Sequence, residues 1–144
     1  MFVLDTDHIS VMERESSSES YRLRCRLSEI DPDEIVTTII TFEEQMRGWL
    51  AYLAKSRSVS DQVEAYSRLH RHIKNYRAIP VLEFDKKAAD EFQRLQKSRI
   101  RIGTMDLKIA AITLANQATL LSRNLSDFCR VPGLKVEDWT VYPT

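Results

Sequence analysis

Asp5, Glu44, Asp106 and Asp127 are the residues of this sequence whose types and positions could do chemistry. Each follows an apolar run or opens a helix-like one, and in an α/β fold such positions converge although they lie far apart in the chain. Open parallel sheets bind ligands outside the carboxyl ends of their strands. Four carboxylates gathered there repel one another unless a cation neutralises them. The cation that suits oxygen donors is a hard one, Mg²⁺ or Mn²⁺. With such an ion bound, a water of lowered pKa can attack phosphorus, so the set points to metal-assisted phosphodiester chemistry. Asp7, Glu43 and Asn124 stand beside the quartet as supporting residues.

Each acid also has a plainer reading. Asp5, Asp7 and Asp106 are placed to cap helices. Glu43 and Glu44 could complement a helix dipole, and Asp127 alone reads as a solvated surface acid. Singly, each favours the plain reading; the coincidence of four at one sheet edge favours function. Other chemistries find little support. His8 could abut the site, whereas His70 and His72 read as surface residues of a helix. No serine–histidine–acid order with a nucleophile elbow is visible. With three glycines, the chain offers no glycine-rich phosphate loop.

The elements that must position these acids follow from apolar patterning. Phe2-Val3-Leu4 reads as a buried strand, and Asp5-Thr6-Asp7 as a set of caps for a helix through Ile9, Val11 and Met12. Residues 13–20 are polar and read as a loop, with a second helix through Leu23, Leu27 and Ile30 stopped at Asp31-Pro32. Ile35 to Thr41 is rich in β-branched residues and reads as a strand covered on both faces. Helices follow from Phe42 to Leu53 and from Val63 to Tyr76, then a strand over Pro80–Phe84 and a helix through Ala88, Phe92 and Leu95. Residues 106–118 form an apolar, small-residue helix; strands at 119–122 and 134–136 flank a short helix at 125–129. Strands alternating with helices predict one α/β domain over residues 1–144, a mostly parallel five-stranded sheet with helices on both faces.

The 43% hydrophobic and 29% charged residues are those of an ordinary globular domain, and the formal net charge is zero. No global field draws the chain to nucleic acid, so such binding must rest on a local basic patch. Arg68, Arg71, Lys74 and Arg77 recur every third residue and read first as a solvated helix face. Arg99 and Arg101 lie just before Asp106 and are candidates to hold a phosphate backbone. Cys25 and Cys129 match no metal or disulfide spacing and read as packing residues in a reducing cytoplasm. No signal peptide and no bilayer-spanning run are apparent.

The pattern resembles a PIN-domain ribonuclease, and within that the VapC-type toxins of type II toxin–antitoxin pairs. Phe2 to Asp7 resembles the first motif, and Thr41-Phe42-Glu43-Glu44 with Gly48 the second. Ile102 to Ala111 resembles the third closely; Leu121 to Phe128, with Val131–Leu134 and Glu137–Trp139, resembles the fourth and the tail. The resemblance implies a Mg²⁺-dependent RNA endonuclease, usually a homodimer, whose acidic groove a cognate antitoxin fills. Asp5 and Asp106 would be the main metal ligands, Glu44 and Asp127 would complete the quartet, and Asn124 and Ser122 would support them by hydrogen bonds. Asp7 stands where the family commonly has Asn. Glu43 duplicates the acid of the second motif. Glu44 is favoured because Gly48 lies four residues later and Thr41 three earlier, although Gln45 then takes a usually aliphatic position.

Two other functions share part of this pattern. Asp5-Thr6-Asp7 also fits the strand-end Asp-x-Asp of a haloacid-dehalogenase-like phosphatase, with Asp5 as nucleophile and Asp7 as acid–base. Ile9 stands where that family expects a hydroxyl or small residue, and no adjacent acid pair follows the fourth strand. The other is a non-enzymatic protein whose acidic edge binds a basic regulatory peptide.

Overall fold

The computed structural model describes residues 1–14 and 16–142. Five strands, β1 (Phe2–Leu4), β2 (Ile35–Thr38), β3 (Val81–Leu82), β4 (Thr119–Leu121) and β5 (Lys135–Glu137), form one sheet in the order β3-β2-β1-β4-β5. All four pairings are parallel, in register Phe2 to Ile35 and Phe2 to Thr119 about the central strand. Seven helices connect them among the described residues: α1 (Thr6–Glu13), α2 (Ser18–Ser28), α3 (Ile39–Ala54), α4 (Val59–Arg77), α5 (Lys86–Lys97), α6 (Thr104–Ala115) and α7 (Leu125–Phe128).

Neighbouring side chains on a strand point to opposite faces, and two cores result. Val3, Val36 and Leu120 pack with Ala88 and Leu95 of α5, the apolar face of α6 and Phe128 of α7. Leu4 and Leu121, the next residues along, pack on the other face with Ile9 and Val11 of α1, Leu23 and Leu27 of α2, and Trp139. The central strand β1 is wholly apolar because both of its faces are covered, whereas the edge strand β5 carries exposed Lys135 and Glu137.

Four boundaries differ from the sequence reading. The β-branched run ends as a strand at Thr38, and α3 begins at Ile39. The Thr38 hydroxyl accepts the Thr41 N–H at 3.1 Å, so a local side-chain cap overrides the β propensity of Ile39–Thr41. Likewise Ser17 caps α2 by accepting the Ser20 N–H, which turns the end of the polar stretch 13–20 into helix. Finally α6 stops at Ala115, not at residue 118: Gln117 takes φ 53°, and Gln117 and Ala118 donate to the carbonyls of Leu114 and Thr113. That is a left-handed helix stop, normally signalled by glycine, here made by glutamine. Arg99 takes the same role after α5, with φ 55° and its N–H on the Gln96 carbonyl. The third strand is also shorter than Pro80–Phe84: Pro80 contributes a carbonyl to Thr37 but has no N–H to extend the ladder.

Candidate active site

The strand order reverses between β1 and β4, where connections leave the sheet in opposite directions. A parallel sheet opens a crevice at such a point, outside the carboxyl ends of the two strands. Asp5 follows β1 there and Ser122 follows β4, tied by the Asp5 N–H donating to the Leu121 carbonyl at 3.0 Å.

Asp5 is 5% exposed, and both carboxylate oxygens have partners. Oδ1 accepts the Thr6 N–H at 2.7 Å as the cap of α1, and Oδ2 accepts the Ser122 hydroxyl at 2.7 Å. Burial, reinforced by the charges of Asp7 and Asp106, nonetheless pushes its pKa up to about 7; the two hydrogen bonds work against that rise. The capping reading and the functional one are therefore not exclusive here. Asp7 meets the same hub: its Oδ2 accepts from Ser122 Oγ at 3.2 Å and from the Arg123 N–H at 2.9 Å. Its Oδ1 lies 2.7 Å from His8 Nδ1, while His8 Nε2 accepts the Trp139 N–H, which assigns the ring proton to Nδ1. His8 is thus buried structure behind Asp7, joining α1 to the chain after β5.

Asp106 lies in the first turn of α6 and Asp127 in α7. The Asn124 amide bridges them, donating to Asp106 Oδ2 at 3.5 Å and Asp127 Oδ2 at 3.0 Å, and the Asn124 N–H donates to Ser122 Oγ at 3.0 Å. Burial, then the charges of Asp127 and Asp7, raise the pKa of Asp106. Arg130 pairs with Asp127 Oδ1 at 3.4 Å and donates to the Arg101 carbonyl at 2.8 Å, anchoring the loop before α6 to this acid. Arg99 and Arg101 are exposed on that loop, their side chains free to reach outward. Arg130 was not singled out from the sequence, although its place three residues after Asp127 allows an (i, i+3) pair.

Glu44 arrives from α3. Its Oε1 is buried and has no hydrogen-bond partner, and burial followed by the Asp106 charge raises its pKa. Glu43 leaves the cluster instead, pairing with Arg47 at 2.6 Å on the exposed side of α3. Thr6 and Thr41, read from the sequence only as parts of their motifs, connect α1 to α3 through hydroxyls 3.4 Å apart. Two further expectations need correction. His72 is a buried residue, not a surface one, because its ring packs against Phe42 and Tyr76. Cys25 and Cys129 are free but exposed, since both fall on outward positions of their segments.

Among the described residues no three carboxylates, histidines or cysteines already stand as a closed metal cage. The donors present fit a hard divalent ion in another way. Burial raises the pKa of Asp5, Glu44 and Asp106, and the Asp106 charge adds to the rise at Asp5 and at Glu44. Glu44 has an orphaned oxygen, and Mg²⁺ needs only one or two carboxylates while keeping several waters. Asp5 and Asp106 could hold it, with Glu44 and Asp127 beside them.

A parallel sheet wound outward from its middle, with mutually repelling carboxylates at the reversal, defines an α/β domain built to meet a cation or a cationic group at its strand ends. The chain belongs to the PIN domain family, whose model matches residues 2–134. It is 40% identical over 45 residues to Ribonuclease VapC2 of Rickettsia felis, a match covering 31% of this chain and 34% of that protein. The chain thus aligns with about a third of the length of that relative. Its fold is similar to that of VapBC-1 from nontypeable Haemophilus influenzae, with a TM-score of 0.70 and 24% identity over 97% of this chain and 98% of the other. A toxin–antitoxin complex from Klebsiella pneumoniae contains a chain matched with a TM-score of 0.68 and 18% identity, over 96% and 98% of the two. The PIN resemblance drawn from the motifs is therefore shown, and the dehalogenase-like alternative gives way to it.

Proposed function

We propose that this PIN domain, taken over residues 1–144, is a metal-dependent endoribonuclease of the VapC kind, the toxin of a type II toxin–antitoxin pair working in the cytoplasm. The observation that carries the reading is the meeting of Asp5, Glu44, Asp106 and Asp127 at the β1/β4 reversal with three of their pKa values raised. PIN-domain ribonucleases generally use divalent metals, and Mg²⁺, with Mn²⁺ as substitute, suits these oxygens. Such an ion, when bound, neutralises the carboxylates and lowers the pKa of a water for attack on phosphorus.

The chain's own residues do the rest. Ser122 and the Thr6 N–H fix both oxygens of Asp5, and Asn124 fixes Asp106 and Asp127. Asp7 serves as a support behind Asp5, sharing its Ser122 donor. Glu44, with a free buried oxygen beside Asp106, is placed to hold a proton or a water. Glu43, read beside Glu44 from the motif, is paired with Arg47 on the exposed side of α3 and supports the site at most from outside the cluster. Arg99 and Arg101 would take phosphates of the RNA flanking the cut.

Partners are also proposed. Val59, Val63, Tyr66 and Ile73 form an exposed apolar stripe along α4, the kind of surface that a second copy or an antitoxin covers. Among the described residues no helix is long and apolar enough to cross a membrane.

The test is cleavage of a mixed RNA pool by partner-free protein in Mg²⁺ and in chelator, with Asp106→Asn purified alongside. Cutting that needs Mg²⁺ and is lost in the variant supports the reading. Intact RNA throughout would leave the acidic edge as a peptide-binding surface.

A further inference from the structure

Next to the acidic edge, a cavity of about 540 Å³ opens between α1, α3 and α4. Its lining includes His72, 2% exposed, whose two ring nitrogens are enclosed and without a hydrogen-bond partner. Buried polar groups are ordinarily paired, and an unpaired one in a cavity wall marks where a ligand's polar edge can dock. The ring cannot turn away to water, because it stacks on Phe42 at 4.9 Å and tilts against Tyr76 at 4.7 Å.

The rim has a consistent chemistry. Trp49 and Tyr52 of α3 present aromatic faces, and Arg14, Arg68 and Arg71 present guanidinium groups against one acid, Glu13. Arg68 is held over both rings, 5.3 Å from Trp49 and 5.1 Å from Tyr52, by its bond to Glu64. A cavity of this volume takes a nucleotide-sized ligand. Single-stranded RNA is recognised by stacking its bases on aromatic or guanidinium planes, bonding their edges and pairing phosphates with arginine. The cavity supplies all three: the Arg68 guanidinium backed by Trp49 and Tyr52 for the base face, His72 for its edge, Arg71 for a phosphate. A peptide carboxylate would use the arginines but would leave the aromatic wall and His72 without a role.

The cavity also adjoins the site. Gln45, which lines it, follows Glu44 in α3 and accepts the Tyr76 hydroxyl at 2.6 Å. Trp49 lies five residues beyond Glu44, about 7.5 Å of helix rise. We propose that this cavity is a nucleotide subsite, holding the base and phosphate of an RNA residue neighbouring the scissile bond. This deepens the nuclease reading and rests on it.

The test separates the two. In chelator, the four 5′-nucleoside monophosphates and inorganic phosphate are titrated while tryptophan fluorescence is read, with Trp49→Phe identifying the responding indole. Saturable quenching by at least one nucleotide, and not by phosphate alone, is expected. His72→Phe, which keeps the aromatic stack, and Arg71→Met, at an exposed position, should each weaken it by about tenfold, the loss of one charged or buried hydrogen bond. In Mg²⁺, Arg71→Met should raise KM for RNA with kcat little changed. Quenching without RNA cutting would keep the subsite and remove the nuclease reading. RNA cutting without nucleotide quenching up to several millimolar, or with both variants binding like the parent, would overturn the subsite alone. Quenching by a partner protein but by no nucleotide would also overturn it and make the cavity a protein-docking site.

Discussion

Replacing Asp5 by Asn isolates the electrostatic strain of the acidic edge. The carboxyl titrates near 7 in the folded chain against an ordinary 3.8, so between those values the native state keeps a proton that the unfolded chain has lost. Stability therefore falls as pH rises through that window and is flat on this account outside it. From pH 5 to pH 8 the group sheds roughly 2 units' worth, about 3 kcal/mol at most, or about 5–10 °C in Tm for a domain of this size. Asn should abolish that share of the slope at little local cost. Its Oδ1 can still cap the Thr6 N–H, and Ser122 can accept from Nδ2 while donating to Asp7 Oδ2. The assay is thermal unfolding in chelator at pH 5 and pH 8. The gain of Asp5→Asn over the parent should be small at pH 5 and largest at pH 8. Saturating Mg²⁺ should then close the gap by stabilising the parent selectively, about 2.7 kcal/mol at a hundredfold excess over Kd. A gain that is the same at both pH values, or a variant less stable at pH 8, would refute the reasoning.

Asp106→Asn should raise Tm in chelator at neutral pH, since it relieves charge facing Asp127 and Asp7, while RNA cutting disappears; melting and cleavage assays on one preparation check both. Asn124→Ala removes the amide that holds two of the acids and should weaken Mg²⁺ binding by about 10–100-fold, read from the Mg²⁺ dependence of Tm. Glu44→Gln should abolish cutting, whereas Glu43→Gln should change cutting little and stability by less than about 1 kcal/mol, because its pair with Arg47 is solvent-exposed. Thr38→Ala should destabilise the fold by about 1 kcal/mol through loss of the α3 cap, measured by urea unfolding.

Periodicity over the long apolar segments carried most of the fold. The stripe of α6, the β-branched start of β2 and the alternation of strand and helix require a parallel sheet, and the order of those elements places strand ends together. What periodicity misses is chemistry one or two residues long. Thr38 capping α3, Ser17 capping α2 and the left-handed turns at Arg99 and Gln117 each depend on one side chain or one φ angle. His72 looked solvent-facing because it sits among charged residues on a polar helix, and only the docking of α3 on α4 shows that its stripe turns inward. The meeting of the four acids followed from topology; the hydroxyls and the amide that hold them did not, because serine, threonine and asparagine have no distinctive spacing at such sites.

The early start of α3 also sends two adjacent acids to different surroundings. Counted from a cap at Thr38, Thr41, Glu44, Gln45 and Gly48 fall at intervals of three and four and share one helix face. Thr41 turns that face toward α1 through Thr6, Glu44 faces Asp106, and Gln45 meets Tyr76. Glu43 and Arg47, four apart, lie on another face and meet each other in solvent. Had the strand continued to Thr41, a strand's twofold alternation would have set Thr38 and Ile40 on one face with Ile39 and Thr41 on the other, and nothing would have fixed the phase of the helix beyond. One threonine hydroxyl on the Thr41 N–H thus marks the helical phase, which turns Glu44 toward Asp106 and Glu43 toward Arg47 and carries Gln45 and Trp49 into the neighbouring cavity. The place of Glu44 at the acidic edge, and of Gln45 and Trp49 in the cavity beside it, follows from a single helix start.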